Sequence, residues 1–294
     1  LSKSDDHNAI VDLSNLLMNL ISLCPKLASH VFDQIVCKNL AHVLDLFINC
    51  PDKHVRTCTT QIVLHCINVM ISFYGFSLNI ERLKEKGAKI TELSPDELRL
   101  CTIESTIVEF LQTLLNFLHT EVAKNWTKFT QYFEFWRDFS LGGEAQMAYM
   151  FSHEMIALFG DFYLERQSPI QGNFEKKHSM GNKYADPDFN PLIQIIANIL
   201  QRTQIMTQTG NVPYSSLGRQ GLTLYQISDN DWKILTHRGF YEKTMKGKYN
   251  PQALGIIIQQ FSFENETFSY HLLQIILRGI SNSGFEDCKA YLEA

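Results

Sequence analysis

The chain has 294 residues, a formal net charge of -5, 45% hydrophobic residues and 19% charged residues. This composition excludes intrinsic disorder, which combines low hydrophobicity with high net charge. The negative charge provides no overall basic field for binding nucleic acid or an anionic membrane surface.

We expect the chain to be a piece of a longer protein, because it begins with Leu1 and stops within a predicted helix at Ala294. No segment is apolar over the ~18 residues that a membrane span needs. The cysteines are odd in number and form no C-x-x-C pair: Cys24, Cys37, Cys50, Cys58, Cys66, Cys101 and Cys288. We expect reduced thiols packed as small hydrophobic side chains, which indicates the cytoplasm or the nucleus.

Apolar residues recur at helical spacing along almost the whole chain. In the first segment the apolar stripe is Ile10, Leu13, Leu16, Leu17, Leu20 and Ile21. Pro25 ends this helix, because proline cannot continue the helical hydrogen bonds. The pattern predicts helices at about 6–23, 29–48, 51–73, 80–86, 95–118, 121–141, 144–164, 191–207, 229–239, 250–261 and 266–280.

The clearest helix start is Ser94-Pro95-Asp96-Glu97. The Ser94 hydroxyl can accept a backbone N–H while Glu97 reaches back to the cap, and proline is favoured at the first helical position.

The predicted fold is all-α, a HEAT- or armadillo-like α-solenoid of roughly ten to twelve helices, because consecutive helices pair through short turns. An irregular globular helical domain is the alternative. Residues 166–188 break the pattern and predict an exposed loop, since Gly, Ser, Pro and Asn are frequent there. We therefore expect a helical-repeat half at 1–165, the loop at 166–188, and a second half at 189–294 that continues the same solenoid.

The sequence provides no motif for catalysis or for a cofactor. Asp186-Pro187-Asp188-Phe189-Asn190 begins like a calcium loop, but Pro191 replaces the turn glycine and Ala197 the bidentate glutamate. The glycines form no phosphate-binding motif. Pairs such as Cys58 with His65 are about two helical turns apart, which is too far for a hydrogen bond along one helix. We expect no cofactor and no catalytic residue in this chain.

Aromatic residues crowd one segment: Trp126, Phe129, Tyr132, Phe133, Phe135, Trp136 and Phe139. They spread over about half of one helix. Either the helix is buried in the core on this face, or the edge of the stripe, with Trp126 and Trp136, is a protein-binding surface.

Basic residues form two small groups, Lys176-Lys177-His178 in the predicted loop and a cluster around Gly239 and Gly247. The second group contains His237, Arg238, Lys243, Lys246 and Lys248. Both groups are typical of solvated loops, and an acidic protein surface is the functional alternative. As a hypothesis, the loop and the basic turn near Arg238 recruit protein partners, because both interrupt a packed helical array.

A family resemblance rests on helix starts and apolar runs in the second half. The stretches are Asp186-Pro187-Asp188, Pro191-Leu192-Ile193-Gln194, Asn198-Ile199-Leu200, Arg202-Thr203, Asn250-Pro251-Gln252, Ser269-Tyr270 and Leu272-Leu273-Gln274-Ile275-Ile276-Leu277. Residues 183–280 resemble the helical region that follows the catalytic domain in giant ubiquitin-specific proteases of the fat-facets type.

The resemblance implies a non-catalytic arm of a large cysteine-type deubiquitinase that recruits substrates. The cysteine and histidine boxes of these enzymes do not stand in this sequence, so no catalytic residue is carried over. The implied partners are proteins, either ubiquitinated substrates or the enzyme's own catalytic domain, with neither nucleic acid nor membrane. A HEAT-like adaptor unrelated to ubiquitin is the alternative.

Overall fold

The computed structural model describes residues 3–88, 93–123, 129–165, 189–202, 225–235, 237, 239–240, 243–244 and 250–261. Within these residues it contains twelve α-helices and no β-strand, so the predicted all-α class and helix number are confirmed. Helices pack side by side on other helices, as the predicted solenoid requires. The chain divides into two compact units, Leu1–Tyr149 and Met150–Ala294.

The first unit holds most of the described helices. They are α1 (Lys3–Leu23), α2 (Pro25–Phe32), α3 (Leu40–Asn49), α4 (Lys53–Tyr74), α5 (Ile80–Ala88), α6 (Pro95–Phe117), α7 (Phe129–Ser140) and α8 (Glu144–Ser152), the last of which crosses the boundary between the units. Two five-residue π-helical turns, Asp33–Cys37 and Leu118–Val122, extend α2 and α6.

Three of the described helices of this unit, α4, α5 and α6, begin at side-chain caps. Ser94 Oγ accepts from Glu97 N at 3.3 Å, and Ser94 N donates to Glu97 Oε2 at 2.9 Å, so the predicted capping box is confirmed. Asp52 caps α4 by accepting from His54 N at 2.8 Å. These caps satisfy backbone N–H groups that have no partner within the helix.

The predicted helix 29–48 is wrong in its boundaries. Pro25 ends α1 and also occupies the first position of α2, where its missing N–H is not needed. The helical path then passes through the π turn Asp33–Cys37 and begins again at Leu40. Asn39 precedes α3, and its side-chain amide donates to the Gln34 carbonyl at 3.0 Å.

The core of the first unit is built around α4, which packs against α1, α2, α3 and α7. Aromatic rings fill the space beside it. Phe135 makes edge-to-face contacts with Phe47 and Phe110, at centroid distances of 5.5 and 6.1 Å. The buried Tyr132 hydroxyl donates to the Leu114 carbonyl at 2.9 Å, which joins α7 to α6. Edge-to-face pairs of this kind are favourable beyond the area that they bury.

A buried carboxylate fixes the connection between α4 and α5. Glu104 on α6 is 3% exposed, and its Oε1 accepts from Ser77 N at 2.8 Å and from Leu78 N at 3.0 Å. Leu78 has a φ of 54°, which is costly for a residue with a β-carbon. The two hydrogen bonds therefore hold a strained turn in place.

The second unit contains α9 (Met155–Glu165), α10 (Asn190–Leu200), α11 (Asp229–Leu235) and α12 (Pro251–Phe261). Helix α9 packs on α10 and on α11, and α10 packs on α12. Helix α9 belongs to the second unit, where its buried face contacts α10 and α11.

Polar contacts also join elements of the second unit. Asp231 is 1% exposed, and its Oδ1 accepts from Ala157 N in the first turn of α9 at 2.7 Å. Burial raises the pKa of the Asp231 carboxyl, although this hydrogen bond opposes the shift. Asn190 Oδ1 accepts from Asn250 N at 2.8 Å and so connects the starts of α10 and α12.

Candidate functional site

Four leucines of α1 form an exposed ridge on the first unit. Leu13, Leu16, Leu20 and Leu23 are 65%, 55%, 45% and 83% exposed. Their spacing of three, four and three residues places them within about 80° of one face of the helix. Single exposed leucines are ordinary, whereas a contiguous apolar row marks an interaction surface. We call these four residues the leucine ridge.

The predicted apolar stripe of α1 is only partly buried. The face that packs against α2 and α4 contains Ile21, which is 0% exposed, and Ser14, which is 7% exposed. Ile10 and Leu17 lie between the two faces and are partly exposed. The helix therefore has two adjacent apolar faces, and the described residues of the first unit bury only one of them.

Polar contacts between α1 and α4 hold the ridge in a fixed orientation. His65 Nε2 lies 2.9 Å from Ser22 Oγ and 3.0 Å from the Met18 carbonyl. Ser22 Oγ also donates to the Met18 carbonyl at 3.0 Å. A carbonyl only accepts, so the contact with Met18 requires a proton on Nε2. The His65 ring is then no base for Ser22, and the arrangement fastens two helices.

The charge beside the ridge is sparse and mixed. Asp12 and Asn19 are exposed on the same side of α1, and Lys26 is exposed in the first turn of α2. A helix that lies on a membrane surface carries several Lys or Arg residues on its polar face. The described flank of this ridge carries no such row.

The free energy available from covering the ridge is substantial. The exposed fractions amount to about two and a half leucine side chains, worth ~4–7 kcal/mol of transfer free energy when fully buried. Association itself costs an estimated ~4–15 kcal/mol. The net binding free energy of one ridge against a surface with no apolar area of its own is therefore marginal. Stable binding requires a partner that also buries apolar surface.

Trp136 does not belong to a binding surface. It is 0% exposed and makes edge-to-face contacts with Phe135 and Phe139 at centroid distances of 5.3 and 5.6 Å. The surface prediction for Trp136 is wrong, because α7 has core neighbours along its aromatic face. Six further candidates, Trp126, Lys176, Lys177, Arg238, Lys246 and Lys248, lie outside the described residues, as does the predicted loop 166–188.

Lys243 lies against aromatic rings of the second unit. Its Nζ is 3.9 Å from the centroid of the Tyr163 ring and 4.9 Å from that of Phe189, and it donates to the Tyr163 carbonyl. Burial lowers the pKa of Lys243 to about 8. An ammonium engaged in this way stabilises the packing of α9 and is poorly placed to pair with an acidic partner.

Two of the described cysteines, Cys58 and Cys66, are buried. Burial raises the pKa of Cys66 to about 12. A thiol is nucleophilic as the thiolate, so the raised pKa keeps the Cys66 thiol unreactive near neutral pH. Among the residues that the structure describes, no group of three or more His, Cys, Asp or Glu side chains is placed to hold a metal ion. Likewise, none of the described helices is long and apolar enough to cross a membrane.

Comparison with known families gives a match over most of the chain. The model of a family described as "Domain of unknown function (DUF3517)" matches residues 41–294, which is more than half of the chain. No curated protein matches the chain. The leucine ridge precedes the matched range.

Proposed function

Because the chain belongs to the DUF3517 family, whose description assigns no activity, we propose a function from its surface and from the resemblance of its second half. It is a non-catalytic protein-binding arm of a large cysteine-type deubiquitinase of the fat-facets type. The observation that carries protein binding is the leucine ridge of α1. The resemblance over residues 183–280 supports the deubiquitinase context.

The ridge suits an arm whose work is binding. It lies on a helix that is fastened to α4 through His65, so a partner meets a preformed surface and little ordering is required. The burial of Cys58 and Cys66 and the raised pKa of the Cys66 thiol support a role without nucleophilic chemistry at these two residues.

Tethering gives such an arm its effect on catalysis. A binding surface joined to an enzyme raises the effective concentration of cargo at the distant active site, without any new chemistry. Cargo bound by the arm is then cleaved faster than cargo of equal chemistry that the arm does not bind.

Titration of labelled ubiquitin and short ubiquitin chains with the purified 294-residue chain tests this proposal. We expect saturable NMR shifts, with tighter binding of chains than of single ubiquitin. The substitution Leu16→Glu in the ridge should weaken the binding of chains. The matched control is Leu141→Glu, since Leu141 is 69% exposed and lies outside the ridge.

Each result decides a part of the proposal. Absence of shifts at high concentration contradicts ubiquitin recognition and leaves the HEAT-like adaptor unrelated to ubiquitin. Turnover of a ubiquitin-derived fluorogenic substrate by the chain alone contradicts a non-catalytic role.

A further inference from the structure

We draw no further inference here: the strongest candidate, the side-chain cluster of Lys243, Tyr163 and Phe189 beside the last turn of α9, carries none, because the Lys243 ammonium is already engaged by the two rings and the Tyr163 carbonyl, and a pKa lowered by burial does not by itself make the cluster a site.

Discussion

Gly160 provides the sharpest test of how the second unit is packed. It lies in the middle of α9, on the face that meets α11. A β-carbon at this position would overlap Ile234 Cγ2 and would lie 3.2 Å from Ile234 Cβ. The two helices can approach this closely because glycine has no side chain.

The expected effect of Gly160→Ala combines two opposing contributions. Alanine favours the helix interior over glycine by ~1 kcal/mol. Forcing a methyl group into a packed core costs about 1–3 kcal/mol. The overlapping carbon belongs to a β-branched side chain, which has few alternative rotamers, and Ile234 is 6% exposed. We therefore expect the packing cost to prevail, with a net loss of ~1–2 kcal/mol in the stability of the second unit.

Hydrogen exchange of peptides from α9 and α11 measures this loss, because it reports the opening free energy of each segment separately. Gly87→Ala is the matched control. Gly87 lies in α5, and a β-carbon there meets nothing within 4 Å, so its replacement should stabilise α5 by ~0.5–1 kcal/mol.

A second substitution tests whether the loss comes from the contact between the new methyl group and Ile234. Ile234→Leu moves the branch away from the β-carbon and removes the overlapping methyl group. It should therefore recover most of the stability that Gly160→Ala loses. If Gly160→Ala raised the protection of α9, as Gly87→Ala should do in α5, the close approach of α9 and α11 would be refuted.

Substitutions at three further residues test single contacts by urea denaturation and hydrogen exchange. Glu104→Ala leaves two buried backbone N–H groups without their carboxylate and should destabilise the first unit by about 3 kcal/mol, whereas Glu104→Gln retains one acceptor oxygen and should lose about 1 kcal/mol. Ser94→Ala removes a cap and should reduce the protection of the first turn of α6 by ~1 kcal/mol. Burial raises the pKa of Asp231, so the uncharged carboxyl favours the folded state. Relative to Asp231→Asn, the wild type should therefore be most stable below pH ~3.8. This stability should be lost as the pH rises through the folded-state pKa of Asp231. If the free energies of unfolding of the wild type and Asp231→Asn differed by the same amount at every pH, the raised pKa of Asp231 would be contradicted.

The sequence predicted a helix boundary well where the groups that form it are close together in the chain. The capping box at Ser94 involves residues three apart, so its geometry follows from the sequence alone. Pro25 shows the limit of such signals. A proline ends one helix and begins the next equally well, and the choice between a stop and a start depends on where the chain can pack afterwards.

The tertiary environment of single side chains could not be predicted in the same way. Trp136 and Lys243 were both candidates for a protein-binding surface. The structure instead buries Trp136 among other rings and places the Lys243 ammonium over the Tyr163 ring. Both outcomes depend on neighbours far away in the sequence, and helical periodicity contains no information about those neighbours.

The leucine ridge was missed for a related reason. Periodicity showed that α1 has a wide apolar stripe, but not which part of the stripe the rest of the chain covers. Helices α2 and α4 cover Ile21 and leave Leu20, the preceding residue, 45% exposed. The width of the stripe was the signal that the sequence contained. The apolar residues of α1 extend over about half of its circumference, which is more than one neighbouring helix can cover.

The stability of the first unit does not explain why the ridge is apolar. A side chain as exposed as Leu23, at 83%, contributes little to folding, and polar replacements at such positions change stability by about 0.5 kcal/mol or less. Polar residues along the ridge would therefore leave the fold intact and would improve its solubility. An apolar row that folding does not require is consistent with a surface that a partner covers. For this reason Leu16→Glu can separate binding from folding, since the same substitution should dissociate the partner and leave the free energy of unfolding almost unchanged.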